Sequence, residues 1–501
     1  MINSSSSKIN SSIKRPLTSS SETSASKRRR LETESVGQSE LNSFWPFSEF
    51  EKNGWLTKAR HHPEDVKKFL GTQIKIDRMA QGVSNLMMLA LKKEYHFLEQ
   101  LFEIMPEEIC NLLVQNIDNS IHSYIAQPFL IYLSNHGQTH LVEKLLLRLL
   151  NKNHTFYDYS LLLGTQEEPI EEMGDIYLNG NILWCLAKHN CAETIFLIFS
   201  RYHGLMNYEL LSNSPQNPSH IDCGKNTLWI FAQQKNYQIL HLIFSSLKHS
   251  DEAIELLESH PTNLNDVNSQ VNTLWLLAQD NQFILLNYIV DNFLFLGRSA
   301  RETPSKHVEK ILALFHSKSV NYSNLLFGVN VLWFLAKQNQ MSIFHGLHEK
   351  FFAFQSYKKS MIALTSSTPG RATHEDSGTN LIWWMAKHND MFLIEFLEDN
   401  YANLLIKYMS STPTHASHPN HGTTPLWWIC QNQNLALTED LFSVINHIAP
   451  TKLNNLMAAS PTHEDHVSYG EDIFWSLARQ ERLDIIKRLA EDNCEAAITF
   501  I

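Results

Sequence analysis

The sequence predicts an all-α fold: a helical-repeat solenoid of about nine units, preceded by a disordered tail. Three observations carry that prediction. A Trp-centred string, Gly422-Thr423-Thr424-Pro425-Leu426-Trp427-Trp428-Ile429-Cys430, returns in close variants at residues 224–232 and 378–386, and its frame also fits Trp184, Trp275, Trp333 and Trp475. Each return is followed by a second apolar stripe at helical spacing, for example Ile195, Phe196 and Ile198, or Ile485, Ile486 and Leu489. Residues 2–43, by contrast, are Ser-, Thr-, Asn- and charge-rich and nearly free of aromatic and branched apolar side chains.

A chain of 501 residues is long for one compact domain, but a solenoid has no such ceiling because each unit packs only on its neighbours. A hydrophobic content of 43% is ample for a core. Net charge is -11, which argues against nucleic-acid binding by the whole molecule. Residues 1–43 hold seven Lys/Arg against four Glu, a net of +3, so the rest of the chain carries -14. Six cysteines (Cys110, Cys185, Cys191, Cys223, Cys430, Cys494) are scattered without a C-x-x-C pair, which suits reduced thiols in an intracellular compartment. No apolar run approaches the roughly 20 residues that span a bilayer, and the N-terminus lacks a secretory apolar core.

Residues 1–43 cannot bury enough apolar surface to offset their ordering entropy and read as a disordered basic tail. Within it, Lys14-Arg15 and Lys27-Arg28-Arg29-Arg30 are separated by eleven residues. Two basic clusters so spaced resemble a bipartite nuclear-localisation signal, whose extended chain reaches two acidic, aromatic-lined pockets of one import receptor. The plainer alternative is a solvated basic tail, or one that touches anionic membrane or nucleic acid. Ser24, Ser26 and Thr33 offer phosphorylation sites beside the clusters.

Residues 44–80, opening with Phe44-Trp45-Pro46-Phe47, read as a helical N-terminal cap. Residues 81–174 hold degenerate units: Leu86-Met87-Met88-Leu89-Ala90 and Leu130-Ile131-Tyr132-Leu133, each followed by a second stripe, without the Trp. From 175 to 501 the frame is clear. Trp anchors fall at 184, 229, 275, 333, 383, 427 and 475. Three residues before each stands Asn181, Asn226, Asn272, Asn330, Asn380, Thr424 or Asp472, all good helix N-caps. Five before stands Gly in five copies, which predicts a turn with positive φ. Three after is Ala, or Cys430, small enough for a neighbouring helix to come close. Six after is Asn in four copies, suited to a left-handed helix end. A third apolar patch (Ile254–Leu257, Val308–Leu314, Ala402–Ile406, Leu453–Met457) predicts an extra helix before each polar loop.

These residues carry a family resemblance. Gly422, Thr424, Pro425 and Leu426, the small residue after two further positions, the tight turn and the following Ile/Leu helix are similar to the ankyrin repeat. This chain places Trp where ankyrin has His, and its period of 44–58 residues exceeds the usual one of about 33. The long Trp-containing units and the Ser/Asn/Lys-rich tail resemble ankyrin-type effectors that intracellular bacteria deliver into host cells. The apolar end Ala496–Ile501 is compatible with a C-terminal secretion signal. The resemblance implies a protein-binding scaffold acting on host proteins, in the nucleus if the tail is an import signal and in the cytoplasm otherwise.

Nine residues before the Trp stand Asp175, His220, Asp266, Asn324, His374, His418 and His466, and twelve before the last two stand His415 and His463. Stacked units would align them into polar ladders. They suit a metal-binding or pH-responsive surface. They suit equally well polar loops copied by duplication, and we adopt the latter because metal sites need convergent geometry. Cys185 and His189 lie one turn apart, but Cys185 adjoins the anchor Trp184 and reads as a buried structural thiol. Trp384 and Trp428 point about 100° away from the anchors beside them, so they suit a binding hot spot or packing against the extra helix. No Gly-rich phosphate loop, G-x-S-x-G or H-E-x-x-H occurs, so no catalytic residue, metal or cofactor is expected. The expected function is protein–protein recognition, with Trp384, Trp428, His374, His415, His418, His463 and His466 as candidate contacts. The alternative is an enzyme whose catalytic region lies in 44–174. A protein that self-associates through its acidic body is a third possibility.

Overall fold

Capping side chains and apolar stripes place the helices of this chain, and the computed structural model describes residues 48–74, 83–115, 126–151, 181–201, 208–216, 218, 220–294, 305–352, 354–491 and 497–498. The basic clusters at 14–30, Asp175 and Cys494 lie outside the described residues. Among the described residues, regular structure is helical apart from one two-residue antiparallel pairing of Gln73–Ile74 with Val83–Ser84. No described helix is long and apolar enough to cross a membrane.

The first described helix, Glu49–His61, begins with a complete capping box: Ser48 accepts the Glu51 N–H and Glu51 returns to the Ser48 N–H. It buries only Leu56 and Ala59 and leaves Phe50 exposed. With Pro63–Gly71 it packs on the helices Asn85–Leu91, Tyr95–Ile104 and Pro106–Gln115. The region predicted as an N-terminal cap is helical over Glu49–His61 and Pro63–Gly71 and then contributes the strand Gln73–Ile74.

The Trp string is a seven-residue helix in all seven copies: Ile182–Lys188, Thr227–Gln233, Thr273–Gln279, Val331–Lys337, Leu381–Lys387, Pro425–Gln431 and Ile473–Arg479. In every copy the side chain three residues before the Trp accepts the Trp backbone N–H, at 2.7–3.2 Å. The left-handed turn six residues after the Trp is also universal, with φ of 55–64° at Asn190, Lys235, Asn281, Asn339, Asn389, Gln433 and Glu481. Asn was therefore a sufficient signal for this turn but not a necessary one. Gln270 adopts φ 64° in the slot that Gly fills elsewhere. The degenerate copies keep the frame too: Ser84 caps Met87, and Lys93 and Gly137 make the left-handed turn.

The third apolar patch is helical in each case, within Ser250–Glu258, Ser305–His316, Phe392–Met409 and Pro450–Met457. In Phe392–Met409 two helices meet at a kink, where Tyr401 has φ -148° and ψ 46°. These helices are tied to the Trp helix by its cap. Asn181, Asn226, Asn272, Asn330 and Asn380 each turn their Nδ2 to a carbonyl near the end of the third helix: Leu210, Leu256, Leu314, Leu364 and Tyr408. One amide thus closes two helix ends. Successive copies are joined by the indole. Trp184, Trp229, Trp275, Trp333, Trp383 and Trp427 are buried, and each Nε1 donates to a backbone oxygen four residues before the next Trp, at 2.6–3.2 Å. Trp475 has no described copy after it and is 61% exposed.

Candidate recognition surface

The loops that precede the Trp helices are built by side chains folding back on their own backbone. His220, His374, His418 and His466 each accept, through Nδ1, the N–H two residues on, at 3.0 Å. Asp266 and Asn324 do the same with Oδ1. The ladder position is therefore a turn-closing acceptor, which explains why His, Asp and Asn interchange there. The same imidazoles pack edge-on against the previous copy's indole, with centroids 5.5–6.5 Å apart for His220 on Trp184, His374 on Trp333, His418 on Trp383 and His466 on Trp427. Burial holds the His220, His374 and His466 imidazoles below their ordinary value of 6.5.

Among the candidate contacts, His418 and Trp384 are buried, each 4% exposed, and neither presents a surface to a partner. His418 is turned inward because its Nε2 faces Asp376 at 3.3 Å. Trp384 is walled edge-to-face by Trp333 and Trp383, at 5.9 and 4.7 Å between centroids. These two assignments are corrected: the side chains belong to the packing between copies. Trp428 is half-buried against Trp383, Trp427 and His466. His374, His415, His463 and His466 are partly exposed, and His415 meets Ser417 Oγ at 2.7 Å. No three His, Cys, Asp or Glu side chains converge to hold a metal ion among the described residues. Cys185 is buried and its thiol is pushed up to about 12, so it stays protonated.

Charges are handled between copies. The residue four after the Trp meets the residue seven before the next Trp: Lys188 pairs with Asp222 at 2.6 Å, and Lys337 pairs with Asp376. Burial pushes both carboxyls up, but their partners outweigh it and hold them below the usual range: Lys188 and Lys225 at Asp222, and His418 and then Lys337 at Asp376. Lys225 is itself buried between Asp222 and Asp266, at 2.9 and 2.6 Å. Lys387 breaks the rule, since Asn420 stands where the Asp would be. Its Nζ lies over three indoles instead, 5.4, 5.0 and 5.8 Å from the ring centres of Trp383, Trp384 and Trp428. Burial pulls this ammonium below its ordinary value of 10.5, Asp376 opposes, and Lys337 adds to the lowering. The indole faces favour the charged form.

What the sequence reading missed is a row of exposed apolar loop tips. Ile221, Val267 and Leu325 all stand eight residues before a Trp, and Leu264 and Tyr322 stand eleven before; they are 46–68% exposed. The loops that carry them are cross-linked. Asn263 Nδ2 donates to the His220 carbonyl, Asn321 Nδ2 to those of Leu264 and Asp266, and Asn324 Nδ2 to that of Val267. Arg371 closes the row by lying over the Tyr322 ring. A fixed apolar position in an otherwise polar loop was the available signal. No protein-family model matches the chain, and no curated protein matches it in sequence.

Proposed function

We propose that the chain is a helical-repeat solenoid of the ankyrin-like kind and that it acts by recognising another protein through its loops. The observation that carries this reading is the row Ile221, Leu264, Val267, Tyr322 and Leu325, exposed on loops that hydrogen bonds hold in register. Contiguous exposed apolar surface on a rigid frame marks an interaction site, and the ordering cost of binding is small because the loops are already fixed. The two carboxylates within its loops are engaged, Asp222 by Lys188 and Lys225 and Asp266 by Lys225, and the Arg371 guanidinium lies over the Tyr322 ring. A strongly acidic body favours a protein partner over an anionic lipid surface. The helix pairs described within 83–151 support recognition over a catalytic region there.

The test is affinity capture with the wild type and with Leu264→Lys/Leu325→Lys. Both sites are exposed, so the variant keeps its melting temperature while its captured partners fall at least tenfold. Unchanged capture would refute the assignment of the row. For the tail, we propose that Lys14, Arg15, Lys27, Arg28, Arg29 and Arg30 address the protein to an import receptor, as in a delivered effector acting in a host nucleus. A reporter carrying residues 1–43 then accumulates in nuclei and loses that accumulation when Lys27-Arg28-Arg29-Arg30 become Ala. A reporter that stays cytoplasmic when export is blocked contradicts it.

A further inference from the structure

Three lysines occupy the slot four residues after an anchor Trp and are followed by a further copy: Lys188, Lys337 and Lys387. The first two meet a carboxylate of that copy, Asp222 and Asp376. Lys387 has no carboxylate within ion-pair distance among the described residues, because its counterpart is Asn420, itself buried. The acid that acts on it electrostatically, Asp376, is already engaged by Lys337 and His418. Two of the three indoles under the Lys387 ammonium also carry an unmet donor. The Nε1 atoms of Trp384 and Trp428 are buried without an acceptor, although every anchor Trp from 184 to 427 has one. The cluster therefore holds one ammonium without a carboxylate partner and two indole N–H groups without an acceptor.

We propose that Lys387, walled by Trp383, Trp384 and Trp428, is a carboxylate-binding site that completes itself with a carboxylate from outside the chain. A monoanion fits better than a phosphate dianion, since Lys387 is the cation there without a carboxylate, Lys337 being taken by Asp376, in a chain of net charge -11. A carboxylate accepting from Nζ makes the charge-assisted bond that Lys188 and Lys337 already have. The source is either an acidic side chain of a bound polypeptide or a free small acid. The proposal does not depend on the apolar loop row: failure of capture by the Leu264/Leu325 variant leaves it untouched, and its own failure leaves the row untouched.

The experiment titrates sodium glutamate, and separately an acetylated and amidated tetraglutamate peptide, into the full chain at constant ionic strength. Tryptophan emission and melting temperature are read, with inorganic phosphate and chloride as comparison ions. A saturable change is expected with the carboxylates and not with the comparison ions. It weakens at least tenfold in Lys387→Met, which keeps the apolar stem, and in Asn420→Asp, which keeps Lys387 but supplies the missing partner and raises the melting temperature. Tighter binding of the peptide assigns the source to a polypeptide, and tighter binding of free glutamate assigns it to a small acid. The proposal is overturned by the absence of any Lys387-dependent response, by an equal response to phosphate or chloride, or by full carboxylate binding in Asn420→Asp.

Discussion

Replacing Asn272 by Ala removes two bonds from one buried side chain. Its Oδ1 accepts the Trp275 N–H at 2.9 Å, and its Nδ2 donates to the Leu314 carbonyl at 2.8 Å. Loss of an N-cap of this type costs about 1 kcal/mol. Leaving the buried Leu314 carbonyl without its donor adds about 1–3 kcal/mol. The sum is about 2–4 kcal/mol in urea unfolding, enough to lower the midpoint well beyond error. Asn272→Asp separates the two contributions, because Asp keeps the cap oxygen and loses the donor. It is expected to cost about 1–3 kcal/mol despite being the residue the chain itself uses at 472, where no third helix follows among the described residues. Asp472→Asn is accordingly near neutral. Equal stability of wild type and Asn272→Asp would refute the claim that the amide ties the two helix ends.

Further outcomes follow from the same geometry. Gly378→Ala places a Cβ against the Thr412 carbonyl at φ 89° and costs more than about 2 kcal/mol, whereas Gly470→Ala, at φ 74° with open space around it, costs about 1 kcal/mol; the pair is compared by thermal unfolding. Trp275→Phe forfeits the bond to the Val329 carbonyl and leaves a void, destabilising by about 2–4 kcal/mol, while Trp475→Phe changes stability by less than about 0.5 kcal/mol. Folded-state pKa values of His220, His374 and His466 lie below the ordinary 6.5, so the stability they contribute is full above 6.5 and is lost as pH falls through the depressed values. The urea midpoint therefore drops between pH 7 and pH 5. His374→Asn, which keeps the turn as Asn324 does, removes part of that slope, and an unchanged slope would count against a neutral imidazole at 374.

The fold was legible where a single residue does one backbone job. Asn or Asp before the Trp names a cap, Gly names a left-handed turn, and a third apolar patch names a helix, because these preferences are local. The site was less legible because burial is set between copies. Trp384 sits one helical position from an anchor, and nothing in its own copy says that Trp333 of the preceding one will enclose it. His418 stands in a polar loop, yet Asp376 of the previous loop draws it inward. The Lys–Asp pairing between copies becomes visible only when positions four after and seven before the Trp are read together. The apolar tips were overlooked because each is one residue in a polar stretch, and only adjacency of the loops makes a surface of them.

The central claim is that each anchor indole is sealed by the copy that follows it. Exchange of the indole N–H protons, followed by NMR after transfer into deuterated water, tests it most directly. Trp184, Trp229, Trp275, Trp333, Trp383 and Trp427 are buried and hydrogen-bonded, so their signals persist after exposed amides have exchanged. Trp475, open to solvent, loses its signal at once. Rapid loss at the six internal anchors, or protection at Trp475 equal to theirs, would contradict the account.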